Sequence, residues 1–169
     1  MVVRQLIDQL SHSATVFSSL LKDVGPGLQS YRQERDRWNL LEIICHLCDE
    51  EVLDFRARIL LALTENGAVP IPIDPEGWPR EHNYAEQDFD ERLRTFLAER
   101  EVSVQTLKGN VEANWNQCIG HPVLGALSAR YLLTNWLAHD YHHIRQINTI
   151  KYAYLKERTG SDLGYAGKW

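Results

Sequence analysis

No apolar stretch of this 169-residue chain approaches the roughly 20 residues a membrane-spanning helix requires, so no membrane partner is expected. Lys and Arg never form a block longer than a pair, and 18 basic against 23 acidic side chains leave a formal charge of −5. Phosphate recognition needs a concentrated basic face, so nucleic acid is not expected as a primary partner. Cysteine is scarce: three residues, an odd number, do not form a disulfide framework, and a reducing, cytoplasmic setting is the expectation. The opening MVVRQLIDQLSHS lacks a positive stretch followed by an apolar run, so no secretory signal is read. Strand signals are absent too, since no four residues alternate convincingly at period two. H-E-x-x-H, G-x-S-x-G and Gly-rich phosphate loops do not occur. Neither does the Glu-x-x-His spacing of di-iron carboxylate bundles.

What is present is helical periodicity. Hydrophobic residues make up 44% of the chain and charged residues 24%, the balance of a soluble globular protein, and the length suits one domain spanning residues 1–169. Val3, Leu6, Leu10, Ala14, Phe17, Leu21 and Val24 recur at helical steps, which predicts a first helix over residues 2–24. Gly25-Pro26-Gly27 ends it, with a glycine able to turn left-handed and a proline unable to continue. A second pattern runs from Trp38 to Leu63, a third from Gln87 to Lys108, and a fourth from the N-cap Ser128 to Arg158, with Thr159-Gly160 as its stop. Residues 66–86 hold Pro70, Pro72, Pro75 and Pro79, which rule out both helix and central strand. A connection of about 20 residues is uncommon. At ~3.3 Å per residue it can run the length of a bundle, so that the third helix lies parallel to the second. The expected fold is all-α, a four-helix bundle with a long crossover between helices 2 and 3.

The densest chemistry is HDYHHIRQI, His139 to Ile147. On a helix His139 and His143 share one face, about 6 Å apart at Cβ, close enough to share an ion ~2.1 Å from each ring. Leu132, Asn135, Trp136, Gln146, Ile147 and Ile150 share that face, so it points mostly into the core. A charged pair there would repel itself and lose solvation, and a metal would hold both rings neutral. The spacing fits two ordinary interfacial histidines equally well. His142, with Arg145 and Thr149 beside it, reads as a rim residue. A third ligand is offered by His46, with Glu42, Asp49 and Glu50 about one turn away. Such carboxylates commonly accept from the second nitrogen of a ligating imidazole. They fit a solvated edge, or pairing with Arg56 and Arg58, as well. Because ligation needs neutral rings, occupancy is expected to fall as pH drops through ~6. Cys45 and Cys48 form a C-x-x-C around His46, but a redox pair opens a helix after a strand, so both read as small core residues. His82 and Tyr84 lie in the crossover, either folded over the bundle mouth or packed on the surface.

Three stretches carry a resemblance: WNLLEIICHLCDEEVLDFRAR, DPEGWPREHNYAEQDFDERLRTFLAER and, most specifically, GHPVLGALSARYLLTNWLAHDYHHIRQI. Together they resemble the DinB/YfiT-like superfamily of metal-binding four-helix bundles, over essentially the whole chain. The resemblance implies an up-down-down-up bundle. It also implies that His46, His139 and His143 ligate a divalent ion, usually zinc or nickel, with positions left open for water or substrate. A homodimer is implied as well. Some members are transferases or isomerases that use low-molecular-weight thiols such as bacillithiol or mycothiol.

Three neutral imidazoles leave the charge of an ion uncompensated, which favours a thiolate or hydroxide in the open position. The first would give S-transfer to a small-molecule substrate and the second hydrolysis; the resemblance points toward the thiol. Glu50 is the nearest acid/base candidate, hence the catalytic residue expected. The alternatives are a non-catalytic, stress-related metal protein and a bundle used only for protein interaction.

Overall fold

The computed structural model describes residues 2–167 and 169. Helix α1, Val2–Leu21, buries Ile7, Leu10, Ser13, Phe17 and Leu21, the three- and four-residue stripe of an amphipathic helix. It stops before Val24 because Asp23 takes the left-handed conformation at φ 58°, which a short polar side chain tolerates. Gly25 is extended instead, and Pro26 opens a short helix α2, Pro26–Gln29, at the position where its missing N–H costs nothing.

The second bundle helix is composite. Helix α3, Leu40–Asp49, starts on a capping box in which the Asn39 side chain accepts from Glu42 N–H and the Glu42 carboxylate accepts from Asn39 N–H. A π-helical segment, Glu50–Phe55, follows, and α4, Arg56–Thr64, completes the rod. Contrary to the expectation of no helix between residues 66 and 86, the crossover contains α5, Trp78–Glu81, and a 3-10 turn, Tyr84–Glu86; Pro79 falls in the first turn of α5, where its missing N–H costs nothing. The third bundle helix is α6, Phe89–Gly109, capped by Asp88, and the fourth is α7, Ala129–Thr159. Ser128 Oγ accepts from Tyr131 N–H at the start of α7, and Gly160 closes it at φ 63°, both as its sequence predicts.

Pairwise contacts fix the directions. Asp140 meets Ser13 and Lys151 Nζ donates to Leu20 O, so α7 runs parallel to α1. Arg4 reaches Glu112 and Arg100 reaches Leu10 O, so α6 runs antiparallel to α1. Cys48 bonds Arg92 O, Glu51 bonds Arg100 and Arg56 bonds Ser103, so the second and third helices run parallel. This is the up-down-down-up bundle that the long crossover requires.

The expected absence of strands fails too. The segment before α7 is a two-stranded antiparallel ribbon, β1 Cys118–His121 and β2 Gly125–Ser128, with Ile119 opposite Leu127. Each strand has four residues diluted by glycine, and only Ile119 and Leu127 turn inward. Two inward side chains make no readable alternation; the bundle core, not strand propensity, selects the ribbon. Gly67 N–H and Gly120 N–H exchange bonds with Cys118 O and Ala68 O, tying the start of the crossover to its edge. Among the described residues no helix is long and apolar enough to cross a membrane.

The core has two apolar clusters. One holds Leu10, Phe55, Ile59, Val104, Leu107 and Trp136, the other Phe17, Leu21, Ile43, Ile44, Phe96 and Ile147. Between them lies a buried polar layer to which every bundle helix contributes: Ser13, His46, Glu50 and Glu51, Arg100 and Ser103, Asp140 and His143.

Candidate metal centre

Two antiparallel helices meet in that layer and bring His46, His139 and His143 together, with one ring nitrogen of each within 4.8 Å of the others. His46 Nε2 lies 3.2 Å and His143 Nε2 3.1 Å from His139 Nε2. Nitrogens each ~2.1 Å from a common ion stand about 3.0 Å apart at right angles and about 3.4 Å apart at the tetrahedral angle. Both separations from His139 fall in that interval and the third pair lies within 4.8 Å, so the donor set fits one small divalent cation. The other edges differ. His143 Nδ1–H donates to Gln146 Oε1 (2.9 Å), which leaves its Nε2 lone pair free for an ion. His46 Nδ1 and His139 Nδ1 are buried without partners. The expected carboxylate behind His46 is therefore missing. Instead, Glu50 Oε1 lies 3.6 Å from His46 Nε2, on the ligand side.

Aromatic rings wall the site. Trp38 packs 4.8 Å from His46 and lies parallel to His143 at 6.5 Å, and Trp78 flanks His46 at 6.2 Å. Phe55 packs 5.3 Å from His139 and stacks on Trp136. His142 is exposed and meets His143 only edge to face, which matches its reading as rim.

Burial, helped by the neighbouring rings, depresses all three imidazoles, His46 to about 3 and His139 to about 2. Burial also lowers His143 to about 4, against the opposing pull of Gln146. Protons therefore begin to compete for the intact triad near pH 4, below the ~6 that free imidazole chemistry suggests. The same shifts bear on stability. The unfolded chain takes up protons on these rings below 6.5 and the fold does not until about 4, so their contribution is present above pH 6.5 and is lost as pH falls toward 4. Glu50 acts with the opposite sign. Burial, then the Asp54 charge, raises it from 4.5 to about 9, so its contribution is present below 4.5 and is lost as pH rises toward 9. We expect metal content at pH 5.5 to equal that at pH 7 wherever circular dichroism shows the helices intact. Release of metal near pH 6 with an unchanged helix signal would contradict this account.

The surrounding acids are each committed differently. Glu42 caps α3 and pairs with Arg32 at 2.6 Å. Asp49 accepts from His82 Nδ1 (2.7 Å) and Tyr84 OH (2.6 Å), so these two crossover residues dock on the second helix. Arg56 pairs with Glu99 and Arg58 with Asp54, neither with the acids beside His46. Cys45 and Cys48 are buried, and burial drives their thiols up to about 11 and about 12, consistent with inert core residues.

Sequence reasoning misses the largest polar feature. Arg100, 1% exposed, donates to Glu51 (2.5 Å), to both Asp140 oxygens (2.6 and 2.8 Å), to Ser13 Oγ (3.1 Å) and to Leu10 O (3.2 Å). Ser103 Oγ adds a bond to Glu51 (2.8 Å). The one available signal is Arg100 and Ser103 on the apolar face of α6 beside Phe96, Val104 and Leu107.

Residues 9–147 match the profile of the DinB superfamily. No curated protein matches the chain. Among solved structures, the chain superposes on YfiT from Bacillus subtilis, described as a probable metal-dependent hydrolase with an unusual four-helix bundle topology. The TM-score is 0.78 at 16% identity, over 95% of this chain and 89% of that chain, which establishes a shared fold.

Proposed function

Because the chain belongs to the DinB superfamily, we propose that it is a metal-dependent enzyme in which His46, His139 and His143 hold a divalent ion, zinc or nickel, and Glu50 moves a proton beside it. The observation that carries this reading is the asymmetry of the acid. Glu50 Oε1 flanks His46 Nε2 at 3.6 Å, yet Glu50 stands outside the convergent set of three. Three protein ligands with an acid alongside make an open site; a fourth protein ligand would make a closed, structural one. Bound there, an ion supplies Lewis acidity that keeps a soft thiolate deprotonated at neutral pH. Its charge also opposes the burial that raises Glu50. The chain's own residues do the rest. The three rings present neutral lone pairs at a fixed separation, Trp38, Trp78 and Phe55 exclude water from their flanks, and the Glu50 carboxylate accepts the proton of the incoming nucleophile.

We assign a low-molecular-weight thiol as that nucleophile, which makes the reaction S-transfer in a cytoplasmic homodimer. With monochlorobimane as electrophile, the thiol proton passes to Glu50, sulfur bonds the carbon, and chloride leaves. A panel of such thiols is expected to react faster with wild type than with His139→Ala. Glu50→Gln is expected to cost about 10²–10⁴-fold, the usual worth of a positioned base. Cys45→Ala and Cys48→Ala should keep the rate. Equal rates in wild type and metal-free His139→Ala would remove the thiol reading. Hydrolysis is the second reading, favoured by the description of YfiT; there water gives its proton to Glu50, and ester turnover without thiol would select it.

A further inference from the structure

Beside the triad lies a cleft of about 630 Å³ whose lining includes Arg37, Trp38, Arg145 and Gln146. Trp38 and Gln146 are shared walls: Trp38 packs on His46 and His143, and Gln146 holds His143 through its carbonyl oxygen, leaving its amide N–H groups uncommitted to that ring. The two arginines come from different elements, Arg37 from the loop before α3 and Arg145 from α7. One acidic side chain shares the wall, Glu34, 3.8 Å from Arg37, and both are largely exposed, so that pair is weak. Among the described residues Arg145 makes no ion pair, as is true of the exposed Arg94 and Arg130, so its guanidinium is uncommitted. In a chain of net charge −5, two guanidiniums lining one cavity with a single acidic side chain are a local reversal of side-chain charge. Trp38 and Ile150 add an apolar surface. Guanidinium forks match a carboxylate, and flat apolar walls match an organic body.

We propose that this cleft holds the carboxylate end of an organic acid, the small molecule whose other end reacts at the triad. That last clause rests on the metal-enzyme reading above; binding in the cleft stands without it. Arg37 and Arg145 grip the carboxylate and Trp38 flanks the body.

The metal-loaded protein is titrated with benzoate, with its neutral isostere benzamide and with inorganic phosphate, followed by the indole N–H resonances. Benzoate is expected to bind at least about 10-fold more tightly than benzamide, the scale of a charge-assisted hydrogen bond. Arg37→Ala and Arg145→Ala, both at the surface and harmless to folding, are each expected to weaken benzoate by about 10-fold with metal content unchanged. Arg130→Ala, elsewhere on α7, should change nothing. Metal-free His139→Ala should still bind benzoate. Equal benzoate and benzamide affinities, or an unaffected Arg145→Ala, overturn the proposal. So does benzoate binding lost in His139→Ala but kept in Arg145→Ala, which would put the carboxylate on the ion. Phosphate binding as tightly as benzoate would assign a bare anion site and overturn the organic-acid assignment. Benzoate binding retained in a protein without thiol or ester turnover would sink the enzyme reading alone.

Discussion

Protein purified without an affinity tag is expected to carry about one divalent ion per chain, and His46→Ala, His139→Ala and His143→Ala are each expected to lose it. The Nε2 atoms of His46 and His143 stand 3.2 and 3.1 Å from that of His139, so removing any one ring breaks the three-nitrogen set and leaves two imidazole donors. Loss of even an outer hydrogen-bond partner costs 10–100-fold in affinity, so loss of a ligand should cost at least about 100-fold. Gln146→Ala, which frees the His143 ring, should fall in the milder range of roughly 10-fold. His142→Ala should keep full occupancy, because that side chain is exposed and outside the convergent set. Chelation should lower the melting temperature, since an ion present at ~1,000 times its dissociation constant adds about 4 kcal/mol to a fold that alone can bind it. Elemental analysis decides the matter and names the metal. Ion lost from His142→Ala but retained in His143→Ala would defeat the ligand assignment.

Arg100→Met should destabilise the fold by roughly 3–5 kcal/mol, the cost of leaving buried carboxylates without their cation. Glu51 and Asp140 are buried at 0% exposure and share that one guanidinium, which also bonds Ser13 and Leu10 O of α1. The variant therefore strips the polar layer of the group that joins all four bundle helices. Arg100→Lys should recover only part of the loss, because a point charge cannot reproduce a fork spread over two carboxylates. Replacing Arg100, Glu51 and Asp140 together with apolar residues should restore most of the stability, since the penalty lies in the unpaired charges and not in the absence of the pair. Urea unfolding with an unchanged m-value measures each step. A loss of less than about 1 kcal/mol in Arg100→Met would show that water or rearrangement satisfies the acids.

What the chain determines by itself is what acts over a few residues. The apolar steps through Leu10, Phe17 and Leu21, the caps at Ser128 and Gly160, and the one-turn spacing of His139 and His143 are local, so they are legible without a fold. The proline-rich crossover is legible for a similar reason: its torsions are fixed residue by residue, and its length alone admits the parallel second and third helices. His46 is different. Nothing near it in sequence separates a ligand from a structural histidine, and only the antiparallel packing of the second and fourth helices brings its Nε2 against His139. The carboxylate expected behind its ring is absent, and Glu50 comes to the opposite edge. Adjacent Glu50 and Glu51 both enter the interior on the π-helical turn, one toward the triad and one toward Arg100. The ribbon, the docking of His82 and Tyr84 on Asp49, and the Arg100 layer also form only in the folded molecule. The ribbon pairs residues close in sequence but needs the core beneath Ile119 and Leu127; the other two depend on partners 30 or more residues away, and a charged side chain on an apolar helix face does not say which carboxylate will meet it until the helices are packed.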